Sequence, residues 1–173
     1  EGDGTRAWGP PWVGSVEDGT RTAAYYLAVN RNKRSIRLDL KTPDGADVLR
    51  RLLARGDVLV ENFRTGGFAR LGFDDAALDR LNPALVHLAI SGYGPDGPAA
   101  DRPGYDFVIQ ASSGLMSITG AADEDGGSPS KVGVAISDVM TGMLGAVSIL
   151  ASLVARERAA GPRPGLGQRI DVS

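Results

Sequence analysis

Ser137-Asp138 closes the run Lys131-Val-Gly-Val-Ala-Ile136 and opens the longest amphipathic stretch of the chain. A carboxylate in the first turn of a helix feels the positive end of the helix dipole. It can also accept backbone N–H bonds, and both effects favour the ionised form. An anion at neutral pH is the state in which a carboxylate attacks an acyl carbon. An Asp in this place is more commonly an ordinary helix cap, so Asp138 alone does not establish a nucleophile. The chain has no cysteine and a single histidine, which excludes disulfides and thiol catalysis and argues against a histidine-rich metal centre. His87 falls within a strand of alternating apolar residues and is read as structural or surface, with no role.

A second group of residues leaves the end of a predicted strand, Glu61-Asn62-Phe63-Arg64-Thr-Gly-Gly67. Open α/β sheets bind ligands beyond the carboxyl ends of their strands, and glycines there let the backbone come close to a ligand. Arg64 and Arg70 could meet phosphate, because a guanidinium pairs bidentately with phosphate oxygens. A glycine turn with solvated arginines is the competing reading. A third segment is Arg102-Pro-Gly-Tyr-Asp106, in which Tyr105 could stack on an adenine or plug the core, and Asp106 reads as an N-cap. Neither a Gly-x-Gly-x-x-Gly after a strand nor a Walker phosphate loop occurs, so dinucleotide and nucleoside triphosphate folds lack their usual support.

The elements that would position these residues follow from periodicity. The first two dozen residues, with Gly, Pro and two Trp, read as an irregular approach. Arg34–Leu40 alternates as a strand does, and Thr42-Pro43 then gives a cap followed by proline at the first helical position. That helix runs through Val48, Leu49, Leu52 and Leu53 to Gly56. Asp57–Phe63 is a second strand, completing a βαβ unit. A short helix over Asp75–Leu81 and a strand over Leu85–Ser91 continue the alternation, which predicts an α/β fold with helices over a parallel sheet. The Gly/Pro-rich stretch from Gly92 to Gly104 is a long loop, helical spacing resumes over Phe107–Ile118, and Gly120–Ser130 is a polar, acidic turn region. In the longest helix, about Asp138 to Arg158, Met140, Met143, Leu144, Val147, Leu150, Ala151 and Val154 form a stripe expected to face a core. Gly161–Gly167 breaks it, and Gln168–Ser173 begins a strand.

At 173 residues and 42% apolar composition, one domain-sized core is expected, and two independent domains are not. A net charge of −2 provides no broad basic field for nucleic acid or an anionic membrane surface. No apolar run approaches the roughly eighteen residues that span a bilayer, and the start lacks signal-peptide character. The expectation is a soluble, cytoplasmic protein. Because the chain starts in a loop and stops within a strand, it reads as part of something longer.

Several runs together resemble the class III CoA-transferases of CaiB/BaiF type. They are Asn32–Lys41 (NKRSIRLDLK), Leu59–Arg64 (LVENFR), Asn82–Val86 (NPALV), Ile90–Gly94 (ISGYG), Arg102–Asp106 (RPGYD), Gln110–Met116 (QASSGLM), Val132–Asp138 (VGVAISD) and Gly167–Ser173 (GQRIDVS). The resemblance implies a Rossmann-like parallel sheet flanked by helices, part of the large CoA-binding domain. Residues 1–173 would be a partial domain, with the opening βαβ upstream and the small domain downstream. It further implies that Asp138 is the nucleophile, passing through an aspartyl anhydride and an aspartyl-CoA thioester. Coenzyme A contacts would fall on Leu38, Asp39, Leu40, Lys41, Asn62, Phe63, Arg64, Arg70, Gly104 and Tyr105. No metal and no permanently bound cofactor are implied; CoA and acyl-CoA enter as substrates, with a small carboxylic acid as acceptor. Pro103 stands where some members have lysine, so one phosphate contact is lost or passes to Arg102. The implied assembly at full length is an interlocked homodimer.

Two other readings stay in view. An acyl-CoA racemase of the same superfamily uses a histidine where this chain has Tyr105, and a phenol with pKa near 10 is a poor general base at neutral pH. A catalytically silent CoA-binding module is the second.

Overall fold

The computed structural model of the chain describes residues 2–158 and 164–173. The chain forms two compact units, Glu1–Arg37 and Leu38–Ser173.

The first unit is more regular than its Gly/Pro content suggests. A 3₁₀ turn at Gly4–Ala7 is capped by Asp3, whose side chain accepts from the Thr5 amide at 2.9 Å. Strands β1 (Trp12–Val13) and β2 (Thr22–Ala23) pair antiparallel, and helix α1 (Ala24–Val29) follows directly. The Arg21 guanidinium lies over the Trp12 ring at 3.9 Å.

The second unit is built on a parallel sheet, as the alternation of the sequence predicts. Helix α2 (Pro43–Leu53) starts at Thr42, whose hydroxyl oxygen accepts from the Gly45 amide, with Pro43 at the first helical position. Strand β3 (Val58–Glu61) leads through a tight turn into the single-turn helix α3 (Gly67–Arg70) and then helix α4 (Asp75–Leu81), capped by Asp74. Strand β4 (Val86–Ile90), helix α5 (Asp106–Ser112), helix α6 (Ile136–Glu157) and strand β5 (Arg169–Val172) complete the unit. The strand order is β3-β4-β5, all parallel, with Leu59, His87 and Arg169 in one row and Glu61, Ala89 and Asp171 in another.

Because side chains alternate across a sheet, these two rows share one face. That face is covered by α2, α3 and α4, through a cluster of Ala46, Leu53, Phe68, Phe73, Leu78 and Leu85. On the other face α6 lies so close that a Cβ on Gly145 would stand 2.7 Å from Leu88 Cδ2. Farther along α6, Gln168 Nε2 donates to Ser152 Oγ, and Arg156 donates to the Ala84 carbonyl and to Asp57, each at 3.0 Å.

Several expectations are corrected. Residues 34–40 are not a strand. Alternation makes a segment competent to pair, but a ladder needs a neighbour, and among the described residues none runs beside it, so Ile36 is exposed. The stripe on α6 does not face this unit's core. Met140, Met143, Leu144, Val147, Leu150, Ala151 and Val154 are exposed, whereas Gly145 and Ser152 are buried, because only small residues permit such close helix–sheet contact. Helix α6 is also long and apolar enough, by length and composition, to cross a membrane. The sequence pattern hides this because Ser137, Asp138, Thr141, Gly142, Ser148 and Ser152 interrupt every uniform apolar run. The helix expected over Phe107–Ile118 breaks at Gly114, which sits at φ +84°, and resumes as a 3₁₀ turn over Leu115–Ile118. The break expected over Gly161–Gly167 falls partly outside the described residues.

Candidate active site

The turn after β3 is held from below. Glu61 ends the strand, and its Oε2 accepts from the Phe63 amide at 2.6 Å, while the Arg64 carbonyl accepts from the Gly67 amide. Gly66 adopts φ +71°, a left-handed conformation that glycine takes without strain. The Thr65 hydroxyl donates to the Ala100 carbonyl at 2.9 Å, fastening the turn to the loop between Gly92 and Gly104. Phe63 stacks on Phe68 and Phe68 on Phe73, with ring centroids 5.4 and 4.9 Å apart. Arg64 and Arg70 are exposed, and a Cβ on Gly66 would stand 3.2 Å from Arg70 Nη1, so the turn brings cations beside its glycines.

Beneath it lies a cavity of about 130 Å³ that Phe63, Arg64 and Gly66 share with His87, Ser91 and Arg169. His87, read from the sequence as structural or surface, is a structural residue of the cavity wall. It is buried at 6% exposure, its Nε2 lies 3.7 Å from Glu61 Oε1, and its Nδ1 lies 3.9 Å from Asp75 Oδ1. Nε2 has no hydrogen-bond partner among the described residues. Arg169 ties Asp75 and Asp171 together beside it. Burial holds the His87 pKa below its ordinary value, helped by the Arg169 charge and opposed by Glu61, Asp75 and Asp171. The guanidinium of Arg169 in turn holds Asp171 below the usual carboxylate range. The signal in the sequence was the parity of the strands, which places Glu61, His87, Arg169 and Asp171 on one sheet face. Among the described residues no group of three or more His, Asp or Glu is arranged to hold a metal ion.

Leu38–Lys41 forms the approach to α2. Asp39 Oδ1 accepts from the Lys41 amide and its carbonyl from the Thr42 hydroxyl, and that carbonyl packs so closely on Gly45 that no Cβ fits there. Gly104 crosses Gly92 backbone to backbone, again without room for a side chain on either. Tyr105 is 69% exposed, so it does not plug the core.

Asp138 stands in the first turn of α6, exposed, and it does not cap the helix. Its carboxyl is raised above the usual carboxylate range, by partial burial first and by the nearby Asp106 carboxylate second. The expectation that the helix start alone favours the anion is therefore corrected, because the N–H groups that would stabilise it are given to Asp106. Asp106 is likewise not the cap of α5. The structure brings Phe63 and Arg64 together around the cavity, while Asn62, Arg70, Gly104, Tyr105, Asp138 and Leu38–Lys41 do not line it.

Likeness to known proteins points in one direction. CoA-transferase family III matches residues 1–173. A succinate–glutarate CoA-transferase of Agrobacterium fabrum is 48% identical over 99% of this chain and 41% of its own length. The human succinyl-CoA:glutarate CoA-transferase is 42% identical over 88% of this chain and 33% of its length. A crystal structure of a CaiB/BaiF family protein from Brucella suis superposes with TM-score 0.82 at 43% identity, covering 96% of this chain and 41% of that one. The chain thus spans between a third and about two fifths of the length of these relatives. With the parallel sheet, the glycine-rich turn and the Asp at the head of the long helix all falling within the matched span, the chain belongs to CoA-transferase family III.

Proposed function

We propose that the complete protein transfers coenzyme A from an acyl-CoA thioester to a carboxylic acid, and that short dicarboxylic acids of the succinate and glutarate kind are its substrates. The observation that carries this reading is the family match along the whole chain, together with two relatives named for those acids.

In the proposed reaction an Asp138 carboxylate oxygen attacks the thioester carbonyl, the C–S bond breaks, and CoA leaves as thiolate. The thiolate attacks the aspartyl carbonyl of the resulting anhydride, releasing the donor acid and leaving an Asp138–CoA thioester. The acceptor carboxylate displaces CoA again, and the thiolate then attacks the acceptor's acyl carbon, giving the new acyl-CoA and free Asp138. Each step exchanges one anion for another, so no proton need be supplied. CoA is elongated, with phosphates and adenine at one end and sulfur at the other, so its phosphate site and its nucleophile must be different places. Arg64 and Arg70, flanking the glycine turn, suit the phosphates. Asn62, Phe63, Leu38–Lys41, Gly104 and Tyr105 are the remaining proposed contacts, with an interlocked homodimer as the assembly, on the strength of the family resemblance.

Succinyl-CoA and glutarate, given to the complete polypeptide with hydroxylamine present, test the reading. Mass spectrometry should find the trap on Asp138, and Asp138→Ala should lose on the order of 10³-fold or more in kcat. Turnover surviving that substitution, or solvent deuterium entering the α carbon without CoA exchange, would overturn it.

A further inference from the structure

Helix α6 begins without a cap of its own. Its N-cap is Ala135, which has no side-chain acceptor, although the first turn of any helix leaves backbone N–H groups without partners. The acceptor comes from 31 residues upstream. Asp106 Oδ1 takes the Ser137 amide at 2.7 Å and the Asp138 amide at 3.3 Å. The other oxygen, Oδ2, is held by Gln110 Nε2 at 2.6 Å, one turn along α5.

Gln110 is 1% exposed and satisfied at both ends. Its Oε1 accepts from the Val132 amide at 2.9 Å, and its Nε2 also reaches the Val134 carbonyl at 3.4 Å. The orientation of this amide is forced, since a backbone N–H can only donate and a carboxylate can only accept. One buried side chain therefore fixes both the carboxylate that caps α6 and the segment that delivers the chain into it.

Resting on the transferase reading above, we infer that Asp106 and Gln110 form a clamp that positions Asp138 for attack, with Gln110 as its anchor. Neither is a catalytic residue. The clamp works through the backbone of Ser137 and Asp138, which it locks at the point where the nucleophile leaves the helix. It also sets a negative charge beside a carboxylate whose own charge is dispersed as it acylates, so the repulsion is relieved on the way to the transition state.

The hydrogen bond between the two residues gives a test by exchange of partners. Asp106→Asn sets an amide against an amide, and Gln110→Glu sets a carboxylate against a carboxylate. Made together, the two changes restore one donor facing one acceptor, with the Val132 amide still received and the charge moved one helical turn. In the complete polypeptide each single change should lower kcat about 10- to 100-fold with little change in KM, and the double change should return it to within about threefold of the parent. Chains carrying Asp106→Asn should also keep activity to lower pH, because Asp106 is the charged group facing Asp138 and its removal favours the Asp138 anion.

Hydrogen exchange at the Ser137 and Asp138 amides, read without substrate, separates the clamp from the chemistry. Exchange should be slow in the parent and the double variant and at least about tenfold faster in each single variant. If Asp138→Ala keeps turnover, the transferase reading fails while this exchange pattern stands. If exchange is unchanged in the single variants, the clamp fails while the transferase reading stands. A double variant that does not fold, or is as impaired as the two single effects multiplied, also overturns the clamp.

Discussion

Replacing Gly92 by alanine probes the point where the end of β4 meets the segment that carries Tyr105 and Asp106. A Cβ on Gly92 would stand 2.5 Å from the Gly104 Cα and 2.6 Å from its amide nitrogen. Unbonded carbons approach to about 3.5–4.0 Å, so the two backbones have to part by roughly 1 Å. Both partners are main chain, and no side chain can swing aside to relieve the contact. Overfilling of this kind costs about 1–3 kcal/mol, which should lower the midpoint of urea unfolding with an unchanged slope. The displacement reaches Asp106, two residues past Gly104, and through it the Ser137 and Asp138 amides. Misplacing a reacting group by about 1 Å can cost on the order of 10²-fold in rate, so kcat for CoA transfer in the complete polypeptide should fall by about that much. Gly104→Ala should do the same for the same reason. Wild-type turnover and an unchanged unfolding midpoint in Gly92→Ala would show that the crossing has slack and that the reasoning is wrong.

Asn82 Nδ2 donates to the Leu53 and Gly56 carbonyls, and its Oδ1 accepts from the Ala84 amide, so Asn82→Ala strips three groups at once. At about 1 kcal/mol per bond, discounted for partial solvent access, a loss of about 2 kcal/mol is expected in chemical denaturation, and a loss under about 0.5 kcal/mol would count against it. The buried His87 has its pKa lowered on folding, so its contribution to stability is present above the unfolded value near 6.5 and is lost as pH falls from there through the lower folded value. His87→Gln should therefore shrink the drop in melting temperature between about pH 7.5 and about pH 5.5, and an equal drop in both proteins would refute the role given to burial.

The elements most legible in the sequence were those whose signals are local. Thr42-Pro43 marks a helix start through a bond made within three residues, and the structure places α2 there. Strands β3 and β4 are readable because each combines an apolar run with turn residues on both sides. What failed depended on partners distant in sequence. The alternation of residues 34–40 could not say whether a neighbouring strand exists. The apolar stripe of α6 marked a helix correctly, but not which side meets the sheet, which Gly145 and Ser152 decide by their size. The position of Asp138 at a helix start is legible locally, whereas its electrostatics are not, because the cap comes from Asp106. For His87 the sequence leaves structural and surface placements open, because Glu61, Asp75 and Arg169, which surround it, lie far away along the chain.

The middle strand of the sheet has neighbours that are made at very different times. β3 precedes β4 closely, but β5 begins only at Arg169, about 80 residues after β4 ends at Ile90. A ribosome adds about 5–20 residues per second. One edge of β4 therefore stays open for several seconds on each nascent chain, its amides and carbonyls facing water or whatever strand-forming segment drifts past. Yield of this protein in cells should be governed by that interval, and by chaperones that shield the edge through it, more than by the stability of the finished sheet.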